Sequence, residues 1–125
     1  MNVVDSSAWL EYFANGPNAS FFAPAIEKTS NLIVPSLTLY EVFKRVLQQR
    51  DEGAALSAVA VMQQGAVVDL DASLAIAAAR LSNERGLPVA DSVILATAQA
   101  HAAVLWTQDA DFEGMPDVEY RKRHG

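Results

Sequence analysis

Five acidic side chains stand where apolar segments of this 125-residue chain end or where helices begin. They are Asp5, Glu41, Asp91, Asp109 and Asp111. Asp5 closes the first apolar run, and Asp109 and Asp111 follow the last long one. Asp91 lies in the first turn of a predicted helix, and Glu41 lies within two turns of the start of another. If the fold brings these positions together, they form a cluster of carboxylates.

A carboxylate cluster needs a cation near neutral pH, because like charges a few ångströms apart repel and raise one another's pKa. The chain has no cysteine, and its two histidines, His101 and His124, lie away from the acids in the sequence. Hard oxygen ligands favour Mg²⁺ or Mn²⁺ over Zn²⁺. Such an ion commonly binds a substrate phosphate as well, so the reaction that suits this cluster is phosphodiester hydrolysis.

Each acid also has a purely structural interpretation. Asp5 could cap a helix, Asp91 could favour the positive end of a helix dipole, and Asp109 could cap a turn. Glu41 could pair with Arg45 one helical turn later. Four unrelated structural roles for four acids at one edge of the sheet explain the pattern less well than one shared site does. Other catalytic signatures are missing, since the sequence has no P-loop, no GxGxxG and no GxSxG motif.

The composition predicts one globular domain. Hydrophobic residues make up 51% of the chain and charged residues 19%, which is too apolar for a disordered protein and too charged for a membrane protein. The amino terminus has neither a basic region nor a long apolar run, so we expect a cytoplasmic protein without a signal sequence or a membrane segment. A formal net charge of −6 argues against broad, non-specific binding to nucleic acid, whose strength comes from basic residues.

The chain alternates between strand-like and helix-like patterns. We predict strands at 2–5, 32–35, 66–70, 104–107 and 118–120, and helices at about 6–14, 19–29, 36–51, 54–64, 71–85 and 88–102. Each strand is a continuous apolar run, which predicts a mostly parallel sheet of four to five strands with helices on both faces. Functional groups in such sheets collect beyond the carboxyl ends of the strands. Residues 121–124 are expected to form a frayed basic tail.

Four segments carry a resemblance to a known family. They are VVDSSAWL (3–10), PSLTLYEV (35–42), LPVADS (87–92) and LWTQDADF (105–112). One such segment alone is weak, but the four in order resemble the motifs of the PIN-domain family, and most closely those of VapC-type toxins from bacterial and archaeal toxin–antitoxin pairs. The resemblance extends from residue 2 to about residue 120, so we expect a single PIN-like domain over 1–120, followed by a basic tail over 121–125.

The resemblance implies a three-layer α/β/α sandwich and a Mg²⁺- or Mn²⁺-dependent endoribonuclease that cuts a structured RNA such as a tRNA or an rRNA. Asp5, Glu41 and Asp91 match the acids that build the family's metal site, and Asp109 matches the fourth. The resemblance assigns supporting roles to Asp111, Thr107 and Ser6. It also implies a homodimer and a cognate VapB-type antitoxin, whose C-terminal segment lies across the toxin groove and often places an arginine near the acids.

Two further groups of residues have open interpretations. One apolar set could form a groove for an antitoxin helix or could be core: Trp9, Leu10, Phe13, Phe21 and Phe22. A basic set could contact RNA phosphates or could face solvent: Lys44, Arg45, Arg50 and residues 121–123. Two other functions stay open, a catalytically inactive interaction module and a DNA nuclease of the same fold. The chain is too short for the helical arches that such DNA nucleases usually carry.

Overall fold

The computed structural model describes residues 1–124. Within these residues the five strands are β1 (Asn2–Val4), β2 (Leu32–Pro35), β3 (Ala66–Val68), β4 (Val104–Thr107) and β5 (Val118–Tyr120). The six α-helices of the same part of the chain are α1 (Ser6–Phe13), α2 (Ala19–Glu27), α3 (Ser36–Gln49), α4 (Glu52–Met62), α5 (Ala72–Arg85) and α6 (Val89–Ala100). Short 3-10 turns occupy Thr29–Asn31 and Ala110–Phe112. This succession agrees with the apolar pattern of the sequence.

The sheet is parallel throughout, with the strand order β3-β2-β1-β4-β5. In the central strand β1, Val3 lies opposite Ile33 of β2 and Leu105 of β4. The chain builds outward from β1 through β2 and β3, then adds β4 on the other side of β1. The predicted parallel sheet is therefore confirmed, and the direction of winding changes between β1 and β4. Open parallel sheets bind ligands at such a switch point, outside the carboxyl ends of the strands.

Each face of the sheet carries its own apolar core, because successive side chains of a strand point to opposite faces. Val4 packs with Trp9 of α1 and Phe22 of α2 in the core that α1–α4 cover. Val3 packs with Ile94 of α6 in the core on the opposite face, which α5 and α6 cover. The predicted three-layer α/β/α sandwich is therefore confirmed.

Capping interactions set where several helices begin and end. The side chains of Asp51 and Asp71 accept hydrogen bonds from the backbone N–H groups of Ala54 (2.7 Å) and Leu74 (2.9 Å) at the starts of α4 and α5. Gly86 ends α5 in the left-handed conformation, with φ 68°. The cap at Asp51 makes α4 begin two residues earlier than predicted. β3 ends two residues earlier than predicted, and α2 ends two residues earlier.

The prediction of a frayed tail is wrong for the first residues after β5. The backbone N–H of Arg121 donates to the carbonyl of Thr107 (3.1 Å), which extends the β4–β5 pairing. The carbonyl of Lys122 accepts a hydrogen bond from Nδ2 of Asn18 (3.0 Å), and the guanidinium of Arg121 lies 4.3 Å from the ring centroid of Phe21. The tail is thus fixed to the body of the domain. The last residue of the predicted tail, Gly125, lies outside the described residues.

Candidate active site

Four of the five predicted acids line one cleft of about 490 Å³, which we call the acidic cleft: Asp5, Glu41, Asp91 and Asp109. Asp5 follows β1 and Asp109 follows β4, so the cleft opens at the switch point of the sheet. Asp91 enters from the first turn of α6, and Glu41 enters from α3. The parallel topology brings together residues that are far apart in the sequence.

Asp5 is buried, with 3% of its surface exposed, and hydroxyl groups hold its side chain. Its Oδ2 atom accepts hydrogen bonds from Ser7 Oγ (2.7 Å) and Thr107 Oγ1 (2.8 Å). Asp5 occupies the position before α1, but its side chain makes no capping hydrogen bond there. The interpretation of Asp5 as a helix cap is therefore wrong, since its carboxylate is directed to the end of β4 instead.

Asp91, Asp109 and Asp111 each place a carboxylate oxygen within 4.8 Å of the others. The loop after β4 arranges this cluster. The backbone N–H of Asp109 donates to Thr107 Oγ1 (2.9 Å), and the backbone N–H of Asp111 donates to Asp109 Oδ1 (2.9 Å). Asp109 therefore does cap a turn, as its structural interpretation proposed, and it contributes to the carboxylate cluster as well. Asp111 is exposed at the rim of this cluster.

Glu41 makes its hydrogen bond across the cleft. Its Oε1 atom accepts from Ser6 Oγ (2.7 Å), which joins α3 to the start of α1. Ser6 therefore positions Glu41, while its neighbour Ser7 positions Asp5. Arg45 lines the same cleft. Within residues 1–124, however, no hydrogen bond joins Arg45 to Glu41, so the predicted pair one helical turn apart does not form.

Two acids of the cleft have raised pKa values, chiefly because they are buried. Burial raises the pKa of Asp5 above its ordinary value of 3.8, and the charges of Asp109 and Glu41 add to this. The hydrogen bonds from Ser7 and Thr107 lower the pKa of Asp5 only in part. Burial also raises the pKa of Asp91 to about 8, helped by the charge of Asp109. Carboxylates in this arrangement favour a bound cation.

The donor set of the cleft fits a hard divalent cation. Its titratable ligands are carboxylate oxygens, and within residues 1–124 neither histidine lines the cleft. Mg²⁺ and Mn²⁺ bind such oxygen sets, whereas Zn²⁺ favours nitrogen and sulfur ligands. A raised pKa of Asp91 in the absence of a cation is the behaviour expected of a site in which a metal replaces a proton. The residues present therefore fit Mg²⁺ or Mn²⁺.

The sequence model of the PIN domain matches residues 3–118, which is nearly the whole chain. The chain belongs to the PIN domain family. The sequence matches none of the curated proteins. The family match covers the four predicted acids that line the acidic cleft and ends before the basic tail.

Solved structures share the fold of this PIN domain. A toxin–antitoxin complex from Klebsiella pneumoniae is 24% identical, with a TM-score of 0.78 over 95% of this chain and 96% of that chain. The sarcin-ricin loop cleaving toxin VapC20 from Mycobacterium tuberculosis is 17% identical, with a TM-score of 0.76 over 93% and 95% of the two chains. DNA-bound VapBC from Salmonella typhimurium is 18% identical, with a TM-score of 0.73 over 97% and 96%.

The residues missed from the sequence at or beside the PIN domain site include Ser7, Glu11, Asn18 and Gln108. Ser7 holds Asp5, and buried Gln108 joins Asn18 to the backbone of Ser7. A polar glutamine directly after an apolar strand was the one sequence signal for this group. Asn18 belongs to no pattern that sequence reasoning could have used, because it reaches the site through tertiary contacts. Arg123 belongs to the basic set for which RNA contact was one of two interpretations, and it lines the acidic cleft.

Only two of the five residues predicted to form an apolar groove line such a groove in the described part of the chain. Trp9 and Phe22 are fully buried in the core, so they offer no docking surface. Phe21 packs beside Trp106 with ring centroids 5.3 Å apart. Leu10 and Phe13 do line an open cleft of about 420 Å³ between α1, α3 and α4, which we call the apolar groove. Its other apolar walls are Ala14, Val46, Ala54, Ala58 and Val61.

The basic residues on α3 and at its end lie on different surfaces of the domain. Arg45 lines the acidic cleft, whereas Arg50 lines the apolar groove. Lys44 lies on the outer surface of the helix, with its Nζ atom 5.7 Å from the centroid of the Tyr40 ring. Of the three, Arg45 lines the acidic cleft, whereas Lys44 shares a smaller surface cleft with Glu41 and Arg45.

Proposed function

We propose that this PIN domain is a Mg²⁺- or Mn²⁺-dependent endoribonuclease toxin of a type II toxin–antitoxin pair. The observation that carries the proposal is the convergence of Asp5, Glu41, Asp91 and Asp109 in one cleft at the switch point of the sheet. Family membership supports a nuclease, and the structural likeness to a toxin named for cleaving the sarcin-ricin loop supports an RNA substrate. The proposed substrate is therefore a structured RNA.

The proposed roles follow from how each acid is held. Asp5 and Asp91 would hold the main ion, Glu41 would complete or orient the ion's ligands, and Asp109 would help to bind a second ion or its waters. When bound, such an ion would supply an activated water as nucleophile and stabilisation of charge on the phosphoryl oxygens. Ser7 and Thr107 both bond to Oδ2 of Asp5, which fixes the rotamer of this carboxylate.

Asp111 and Ser6 have supporting roles in this proposal. Asp111 orders the loop that presents Asp109, through the hydrogen bond from its backbone N–H to Asp109 Oδ1. Ser6 holds Glu41 from the opposite wall of the acidic cleft. Asp91 has to lose its proton before it can bind a cation, because its pKa is raised to about 8.

The proposed protein partner is a VapB-type antitoxin. Similar solved structures include toxin–antitoxin complexes. The apolar groove beside the acidic cleft suits the apolar face of an antitoxin helix, because Leu10 and Phe13 are partly exposed there. We further propose a homodimer in the cytoplasm. Within residues 1–124, no helix is both long and apolar enough to cross a membrane.

The test is cleavage of a folded RNA such as total tRNA or an rRNA fragment, with mapping of the new ends. The wild-type protein should cut in Mg²⁺ or Mn²⁺ and stop cutting in EDTA, and Asp5→Asn should be inactive while still folded. Asp69→Asn is the matched control, because Asp69 follows β3 at the same sheet edge but lies outside the acidic cleft. Full activity of Asp5→Asn, or activity unaffected by EDTA, would refute the proposal.

Two outcomes of the same assay lead to the alternative functions. Cleavage of DNA with no cleavage of RNA would identify a DNA nuclease of this fold. Absence of all cleavage, together with binding of a partner protein, would identify an inactive interaction module. Growth arrest on expression, relieved by the product of an adjacent reading frame, would support the toxin and its antitoxin independently of any assay in vitro.

A further inference from the structure

The chain that follows β5 returns to the acidic cleft. Arg121 bonds through its backbone to Thr107, and its guanidinium lies over the ring of Phe21. The carbonyl of Lys122 accepts a hydrogen bond from Asn18. These contacts come from β4 and from α2 and the residue before it, so two separate parts of the domain hold the tail. Arg123 then lines the acidic cleft together with the carboxylates.

A buried amide network connects this tail with the position of Asp5. Asn18 is 1% exposed, and its Nδ2 atom donates both to the carbonyl of Lys122 (3.0 Å) and to Oε1 of Gln108 (3.1 Å). Nε2 of Gln108 in turn donates to the carbonyl of Ser7 (3.3 Å). Ser7 holds the carboxylate of Asp5. A buried asparagine that bridges two segments in this way fixes the path of the tail, because breaking either bond leaves a buried polar group unsatisfied.

Two arginines from different elements therefore line the cleft, Arg45 from α3 and Arg123 from the tail. In the described part of the chain, neither guanidinium makes a hydrogen bond to a carboxylate of the cleft. Guanidinium groups that line a cleft without a protein acceptor have their planar donors available for phosphate oxygens. With a net charge of −6, the protein has few basic residues, and it places two of its nine beside the candidate active site.

We propose that the anchored tail holds Arg123 in the substrate site, where Arg123 and Arg45 bind phosphates of the RNA strand next to the carboxylates. Both arginines are substrate-binding residues, and Asn18 is a positioning residue that acts only through the tail that it anchors. This inference rests on the proposed function, since it identifies the ligand of these arginines as the RNA backbone.

The first experiment measures binding of a fluorescein-labelled RNA hairpin by anisotropy in Mg²⁺, in the Asp5→Asn background so that no cleavage occurs. Arg123→Ala should weaken binding about tenfold, since a charge-assisted hydrogen bond is lost. The salt dependence should fall by about 0.7 in the slope of log affinity against log salt for one lost contact to single-stranded phosphate. Lys122→Ala is the matched control, because it removes the same charge one residue away and keeps the backbone carbonyl that Asn18 binds.

The second experiment tests whether Asn18 acts through Arg123. Asn18→Ala should weaken RNA binding about as much as Arg123→Ala, and the double variant should be no weaker than either single variant, because both changes remove one contact. In the wild-type background, Arg123→Ala should raise KM about tenfold and leave kcat within about twofold, as expected when uniform binding is lost. Circular dichroism and thermal unfolding confirm that each variant is folded.

Three results would overturn this inference. Equal losses in Arg123→Ala and Lys122→Ala would show a non-specific charge effect. An unchanged salt slope in Arg123→Ala would show that no phosphate contact was removed. Faster cleavage by Arg123→Ala would show that the tail obstructs the cleft rather than serving it. Each of these leaves cleavage by the wild-type protein intact, whereas absence of wild-type cleavage refutes the proposed function itself.

Discussion

The hydroxyl of Thr107 donates a hydrogen bond to Oδ2 of Asp5 over 2.8 Å, and this joins the ends of β4 and β1. The Oγ1 atom of Thr107 also accepts a hydrogen bond from the backbone N–H of Asp109 (2.9 Å). One buried side chain therefore sets the position of two of the acids that line the cleft. Because the strands are neighbours in a parallel sheet, a small change at Thr107 is transmitted to both acids at once.

Replacement of Thr107 by valine should impair the site more than the fold. Valine keeps the shape but leaves the carboxylate of Asp5 and the N–H of Asp109 without this partner, so we expect cleavage to fall about 10–100-fold and the protein to lose about 1–3 kcal/mol of stability. The pH–rate profile should also move to higher pH, because the hydrogen bond from Thr107 lowers the pKa of Asp5. Thr107→Ser keeps the hydroxyl and should retain most activity. Wild-type kinetics in Thr107→Val would contradict this.

The stability of the protein without divalent cations should decrease as pH rises from about 4 to about 8. The pKa of Asp91 is raised from 3.8 to about 8 in the folded protein, so in this range the folded state binds more protons than the unfolded state. Stability then falls with pH, because ionisation favours unfolding. In EDTA, the melting temperature should be higher at pH 5 than at pH 8.

Asp91→Asn should flatten this dependence on pH, since the variant has no proton to lose at this position. At pH 8 in EDTA it should melt above the wild-type protein by about 3–5 °C for each kcal/mol gained when the buried charge and its repulsion by Asp109 are removed. Asp69→Asn, which changes an exposed acid outside the cleft, should keep the wild-type slope. A variant Asp91→Asn with an undiminished slope would show that other groups govern the effect.

Binding of Mg²⁺ or Mn²⁺ should strengthen with pH up to about 8. The ion has to replace the proton of Asp91, whose pKa is about 8. Release of one proton makes affinity rise roughly tenfold per pH unit below that value. Isothermal titration calorimetry in buffers of different ionisation enthalpy measures both the affinity and the number of protons released. An affinity independent of pH would mean that Asp91 is not a ligand.

Two glycines should respond to alanine for different reasons. A Cβ at Gly65 would lie 2.9 Å from the carbonyl oxygen of Leu32, which belongs to the sheet and cannot move freely. Gly65→Ala should therefore lower the free energy of unfolding by about 1–3 kcal/mol.

Gly86 has open space around it but a φ of 68°, so Gly86→Ala should lower the free energy of unfolding by about 1 kcal/mol from backbone strain alone. Chemical denaturation measures both, and equal stability of Gly65→Ala and wild type would contradict the packing argument.

Local sequence features predicted much of the fold. Continuous apolar runs identified the strands, and Asp71 and Gly86 marked the two ends of α5. The convergence of Asp5, Glu41, Asp91 and Asp109 was also predictable, because parallel strands bring their carboxyl ends to one edge of a sheet. These features follow from short-range patterns and from one general rule of topology.

Side-chain partners were less accessible to prediction. Ser6 and Ser7 are adjacent, yet they hold different acids, and only the course of α3 past the start of α1 decides which serine meets Glu41. The apolar residues of α1 and α2 looked alike in sequence, but the structure buries Trp9 and leaves Leu10 beside an open groove. Such differences depend on the angle at which helices pack, which hydrophobic spacing does not specify.

By itself the sequence determined the type of protein, a parallel α/β domain of the PIN family with acids at its functional edge. It did so because strand composition, helix capping and motif order are local properties of the chain. Only the tertiary structure decided that the basic tail returns to the cleft, since Asn18 and Lys122 meet across a separation of 104 residues. A contact of that separation is set by the packed domain as a whole, and it places Arg123 beside the acids.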